Sequence, residues 1–275
     1  MIKHIQLKSI LSKVLFIILA ATVIYPLIFV LMTSLKSNID VLINPFGIKS
    51  FLPSNYINAW HIGNIGRYFL NSVIITGVSM AIQIAAIVLA SYSIGKLKPK
   101  GSWIIEIIYI LCMLVIAEMI TLPNFMTIKQ WGLSGTRTAL ILPYITAGIP
   151  IGCFIMTAFV RNLPAELDEA ARIDGAGIWD NFKAISVPLM KPVIITVFIF
   201  NIQGVWSEFY WALIQIKDDS LKTLPLGLMN FQSQYNSDYG ILCAGLVIAT
   251  LPVIILYLKS SAYFVGGLTA GAVKG

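Results

Sequence analysis

Long unbroken apolar runs, rather than an alternation of apolar and polar positions, dominate this chain. Between Val14 and Met32 there is neither a charged residue nor a period of two. A membrane-spanning helix takes ~20 apolar residues at ~1.5 Å rise each, whereas a barrel strand is a ~10-residue segment of alternating polarity. The runs therefore predict helices, which pair their own backbone groups in hydrocarbon. Six are predicted, at about 14–34, 70–94, 103–123, 139–160, 192–213 and 241–262. The connection 35–69 holds Pro45, Pro53, Tyr56 and Trp60 and reads as an ordered cap on the bilayer surface, its aromatics at headgroup level.

Composition agrees with the pattern. Of 275 residues 58% are hydrophobic and 11% charged, against roughly 25% charged in soluble proteins, which makes this an integral membrane protein. A net charge of +7 in a soluble domain would point to nucleic acid, but here the cations are scattered between apolar runs, where they set topology. With both termini in the cytoplasm, twelve of the 19 Lys and Arg fall inside, and Lys96, Lys98 and Lys100 cluster in one very short connection. The first run follows Lys3, Lys8 and Lys13 but is longer than a signal sequence and reads as an uncleaved span. Cys112, Cys153 and Cys243 lie in three different runs and are read as buried small hydrophobes.

One connection is too polar for the bilayer and too patterned for a plain linker. From Arg161 to Pro192 the sequence predicts helix, turn, helix: Pro164 at a first helical position, Glu166, Asp168 and Glu169 near the positive end of the helix dipole, Gly175 and Gly177 ending it. A second short helix runs from Ile178 to about Ser186, and Pro188 stops it. The apolar face of Leu163, Leu167, Ala170 and Ala171 buries too little area to hold an isolated helix pair together. Such an element is either a docking surface for a partner or a solvated loop with ordinary caps.

Glu169-Ala170-Ala171, then Asp174-Gly175-Ala176, then Phe182, Ile185 and Pro188 resemble the EAA motif of importer permeases of the ATP-binding-cassette (ABC) class. The resemblance continues through Trp206 to Trp211, Leu224-Pro-Leu-Gly227, Asp238-Tyr-Gly240 and the tail from Tyr263 to Gly275, and is similar to the shorter permease of maltose-type carbohydrate importers. Gly266 departs from it, standing where a basic residue is common. The resemblance implies an all-α fold of six transmembrane helices with a cytoplasmic coupling helix-turn-helix, the transmembrane domain of a type I ABC importer, as a single domain over 1–275. It implies a second homologous permease, two ATP-binding cassette ATPase subunits and an extracytoplasmic solute-binding protein as partners, with a sugar, an oligosaccharide rather than a smaller solute, as cargo. It also implies no catalysis and no cofactor in this chain, ATP being bound by the partners, and the sequence has no Gly-x-x-x-x-Gly-Lys-Ser/Thr loop. The ATPase-coupling residues it implies are Glu169, Ala170, Ala171, Asp174, Gly175, Ile185 and Pro188.

Within the spans, Ser72, Thr76, Ser79 and Gln83 recur at helical spacing, continued by Ala86 and Ala90, and Asn201, Gly204, Glu208 and Trp211 form a second stripe. An ionisable residue inside a span marks a pathway or a partnered interior position, so Glu208 is either a pathway group or an anchor to a neighbouring helix. Gln83, Asn201 and Glu208 are the candidate translocation-pathway residues. Gly148 and Gly152 suit close helix packing, Pro26, Pro143, Pro150 and Pro252 interrupt spans, Glu106 snorkels, and Trp103, Trp131 and Trp211 suit an aromatic belt. The competing classes are glycerol-phosphate import, which lacks a dense basic cluster in the spans, and an ATP-independent transporter or channel, which lacks internal symmetry and paired mid-depth charges.

Overall fold

The computed structural model describes residues 2–47, 49–61, 63–231 and 238–272, and all regular structure among them is helical. In chain order the helices are α1 Ile2–Ser34, α2 Asn38–Ile43, α3 Ser54–His61, α4 Ile65–Tyr92, α5 Ser102–Leu114, α6 Thr121–Gln130, α7 Arg137–Ala147, α8 Ile149–Arg161, α9 Ala165–Ile173, α10 Ile178–Asn181, α11 Val187–Trp206, α12 Tyr210–Gln215, α13 Leu224–Gly227 and α14 Tyr239–Ala272. Among the described residues five stretches are long and apolar enough to cross a membrane, or six if one pair of helices bent by 96° counts as a single span. The last three residues of the C-terminal motif, with Lys274, lie outside the described residues.

The straight spans predicted at 103–123, 139–160 and 192–213 are each interrupted. In the first, α5 stops at Leu114, the β-branched pair Val115 and Ile116 is extended, and the chain turns by 96° into Ala117–Gln130. A straight continuation would carry the Glu118 charge with it through hydrocarbon. In the second, the break at Gly148 precedes Pro150, whose missing N–H is tolerated in the first turn of α8. In the third, α11 ends at Trp206, and Glu208 lies between helices rather than on a stripe with Asn201. Conversely, Pro188 does not stop α10. A π turn, Phe182–Ser186, carries the chain from α10 straight into α11. It includes Ala184, whose carbonyl Pro188 would otherwise strike, and its wider hydrogen-bond register makes the proline tolerable.

The chain forms two compact units, Met1–Arg67 with Gly227–Leu251, and Tyr68–Leu226 with Pro252–Gly275. In the first, the 35–64 connection is tied by polar groups. The Lys36 side chain is fully buried and its Nζ donates to the carbonyls of Asn44 and Pro45, at 3.1 and 2.8 Å. Asp40 accepts the amides of Lys49 and Ser50, both at 2.9 Å. The Ser50 amide is the chief cause that holds Asp40 below the ordinary carboxylate range, against the burial that would raise it. Ile39, Leu42, Ile43 and Phe46 project outward from this polar knot. In the second unit one cluster joins α4, α8 and α11 around Ile87, Cys153, Met156, Met190 and Val197. Another joins α4, α6, α7 and α12 around Ile75, Ile128, Leu140, Tyr144 and Trp211. Of the cysteines only Cys153 is buried; Cys243 is half-buried and Cys112 lies on α5, which buries none of its residues. A 720 Å³ groove between α4, α11 and the later part of α14 is lined by apolar side chains such as Val73, Met80, Ile202 and Leu256, relieved by the Thr76 hydroxyl and the Trp206 indole.

Candidate functional site

The helical hairpin at 163–186 forms as its residue types dictate. Pro164 is the N-cap of α9 rather than its first helical residue, and Glu166 and Asp168 sit in the first turn where the dipole favours anions. At the other end Gly175 has φ +81, the left-handed conformation that glycine adopts without strain. The Ala176 amide bonds back to Ala171 O at 2.9 Å and the Gly175 amide to Arg172 O at 3.1 Å, the paired bonds of a Schellman ending.

The two alanines of the motif face opposite ways. Ala171 is 5% exposed and points into the protein, while Ala170, Glu169, Asp174 and Gly175 are exposed. Ile185 is half-buried and Pro188 exposed. The outward apolar surface is made by side chains that the sequence did not single out: Ile173 is 85% exposed, Ile178 62% and Trp179 54%. Trp179 stacks on Phe182 with centroids 5.1 Å apart, and Lys183 Nζ lies 4.8 Å from the indole centroid. Phe182 in turn packs on Tyr92 of α4 at 4.8 Å. Asp168 is buried enough to resist ionisation, yet its bonds to Lys96 and Asn181 prevail and keep its carboxyl below the ordinary range.

Gln83, Asn201 and Glu208 come together on one cavity of 260 Å³, with Tyr144, Gly148 and Gly204. Each is positioned by a helix break. Gly148 ends α7, and the carbonyls of Tyr144 and Ile145 receive Gln83 Nε2 at 2.8 and 3.1 Å. Asn201 Nδ2 donates to Gly148 O at 3.3 Å. A Cβ at Gly148 would stand 2.6 Å from Gln83 Nε2 and 2.7 Å from the Asn201 amide, so the position admits no side chain without displacing both. Gln83 is fully buried and its Oε1 has no hydrogen-bond partner among the described residues.

Glu208 acts as the N-terminal cap of α12. Its carboxylate accepts the Trp211 amide at 2.6 Å, the Ala212 amide at 3.2 Å and the Tyr144 hydroxyl at 2.5 Å. Two orphan helix donors and a tyrosine hydroxyl thus hold the side chain in place from one side. Trp211, placed in an aromatic belt by sequence, is 7% exposed, and its indole N–H reaches Ala139 O at 2.9 Å. Pro143, four residues on, has no N–H to give that carbonyl. Trp103 and Trp131 are exposed as a belt requires. Glu106 pairs with Arg161 rather than snorkelling alone. The stripe of Ser72, Thr76, Ser79 and Gln83 is buried along its whole length, and Ser72 Oγ accepts the Leu224 amide at 2.8 Å.

Comparison with known proteins bears on this arrangement. Residues 82–264 match the family described as binding-protein-dependent transport system inner membrane component. The diacetylchitobiose uptake system permease protein NgcG of Streptomyces coelicolor is 32% identical over 266 residues, covering 96% of this chain and 88% of that protein. The arabinooligosaccharides transport system permease protein AraQ of Bacillus subtilis is 32% identical over 268 residues, covering 94% of each. A chain from the crystal structure of a bacterial ABC transporter involved in the import of the acidic polysaccharide alginate superposes with a TM-score of 0.81 at 23% identity, covering 94% of this chain and 97% of that one. That likeness establishes the shared fold.

Proposed function

Because the chain belongs to the family of binding-protein-dependent transport system inner membrane components and so is a multi-pass permease subunit of an ABC-class importer, we propose that its cargo is a sugar, specifically an oligosaccharide, and that it forms half of the path the sugar takes. A second, homologous permease supplies the other half. The 260 Å³ cavity around Gln83, Asn201 and Glu208 supports this, being smaller than the ~300–1,000 Å³ of a complete small-molecule site. The polar side chains of Asn201 and Glu208 on its wall suit sugar hydroxyls. The apolar groove on α4, α11 and α14 does not, since it offers almost nothing for hydroxyls to bond.

Both termini and the hairpin lie in the cytoplasm in this reading, where the Lys and Arg majority places them. Of two ATPase subunits, one docks on this hairpin through Glu169, Ala170, Asp174 and Gly175, with Ala171, Ile185 and Pro188 shaping it, and an extracytoplasmic protein delivers the sugar. The permease itself binds no nucleotide and performs no chemistry; hydrolysis belongs to the ATPases.

The observation that carries the coupling role is the outward display of Ile173, Ile178 and Trp179 on a polar connection. Three large apolar side chains on an aqueous element are suited to a partner's cleft. Ile173→Asp should weaken recovery of the ATPase with the purified permease by roughly tenfold, as loss of a central apolar contact does. Undiminished recovery would sink the docking role. Competition of labelled maltotriose uptake by mono-, di- and trisaccharides tests the cargo, and preference for the monosaccharide would contradict it.

A further inference from the structure

The end of α4 is joined to the hairpin by more than apolar packing. Its helix closes in a π turn, Ser93–Leu97, which carries Lys96. The Lys96 ammonium donates to Leu163 O at 3.1 Å, to Pro164 O at 3.3 Å and to Asp168 Oδ2 at 2.5 Å. Three acceptors meet the three protons the group possesses. The second oxygen of Asp168 accepts Asn181 Nδ2 at 3.0 Å, so the ion pair bridges α4, α9 and α10. With side chains only 14% and 20% exposed, the pair is shielded from water in a way that surface pairs are not. Beside it, the Tyr92 and Phe182 rings give the same two elements an apolar contact.

The geometry points to Lys96 as a positioning residue for transport, fastening α4 to the hairpin so that the two move together. A displacement of the hairpin is then carried along α4 to Gln83, ~20 Å away at ~1.5 Å per residue. Gln83 in turn holds the two carbonyls at the α7–α8 break, so the route ends at the wall of the cavity. This inference rests on the hairpin being the ATPase-docking element and adds the connection through which docking reaches the path.

The test uses the complete transporter, with both permeases, the ATPases and the delivering protein, reconstituted in liposomes. Lys96→Met keeps the length of the side chain and removes its charge. ATPase recovery should match that of the unaltered complex, while sugar taken up per ATP hydrolysed falls roughly tenfold, in the range of ordinary coupling free energies. Lys96→Arg should restore most of the loss. Asp168→Asn should reproduce it, and the double variant Lys96→Met with Asp168→Asn should be no worse than either single one, because both remove one link. Unchanged uptake per ATP in Lys96→Met overturns the proposal, as does loss of the ATPase from that complex, which would make Lys96 a prop for the hairpin's shape. Ile173→Asp separates the two readings. If it loses its ATPase while Lys96→Met keeps both its ATPase and normal uptake per ATP, the docking role stands and the tie to α4 falls; if it keeps its ATPase, the docking role falls and the tie loses its premise.

Discussion

At the scale of single residues, the polar side chains in the spans are explained by backbone carbonyls and amides that helix breaks release. Gln83 and Glu208 stand out in the sequence because an amide and a carboxylate inside apolar runs must be partnered, but the partners were hidden. Nothing in the spacing announces that Gln83 meets Tyr144 O and Ile145 O, since that depends on α7 ending at Gly148. Glu208→Leu removes the acceptor of two backbone amides and the Tyr144 hydroxyl. We expect it to lower the stability of the detergent-solubilised permease by about 1–3 kcal/mol, read as a drop in thermal midpoint, before any transport effect appears. Gly148→Ala should destabilise by a similar amount, about 1–3 kcal/mol for overpacking; an unaltered midpoint would mean that Gln83 and Asn201 yield freely. For Asp168 the sign follows from its depressed carboxyl, whose ordinary value is 3.8. The stabilisation is complete above that value and lost as pH falls through the lower, folded one. Trp179 fluorescence should therefore be flat from about pH 8 to 5 and change only in stronger acid. A transition near neutrality would contradict the assignment.

Among the elements, the hairpin was the most legible because its signals are local: a proline start, acids in the first turn and a glycine end. Its orientation was not legible. Which of two adjacent alanines faces inward depends on how α9 lies against the end of α4, and only the structure turns Ala171 in and Ala170 out. Ala171→Leu is therefore expected to force α9 away from its own protein, with loss of thermal stability as well as of coupling, whereas Ala170→Leu should affect ATPase association alone. Gly175→Val places a β-branched residue at φ +81, which costs about 1–2 kcal/mol or more. It should fray the Schellman ending, measurable as faster amide exchange at Ala176. Apolar run length also failed to disclose the breaks at Val115, Gly148 and Ser207, because hydropathy counts residues and is blind to backbone direction. The charge of Glu118 and a proline shortly after a glycine were the available hints.

For the whole molecule, composition pointed to the membrane setting, because few soluble chains could hide so much apolar surface, and the unbroken apolar runs pointed to the helical class. The proposed orientation predicts that an impermeant thiol reagent applied to intact cells labels a cysteine placed at Asn230 and spares one placed at Asp180; the opposite pattern would invert the topology. The paired glycines of the cavity have a further consequence for how such a transporter changes its diet. Gly148 is locked, since a methyl group there strikes Gln83 and Asn201, but a Cβ at Gly204 meets no atom within 4 Å. One wall of the cavity is thus frozen and the other is blank. Retuning the repertoire of sugars by substitution should run through position 204, where bulk can be added without disturbing the break that shapes the rest.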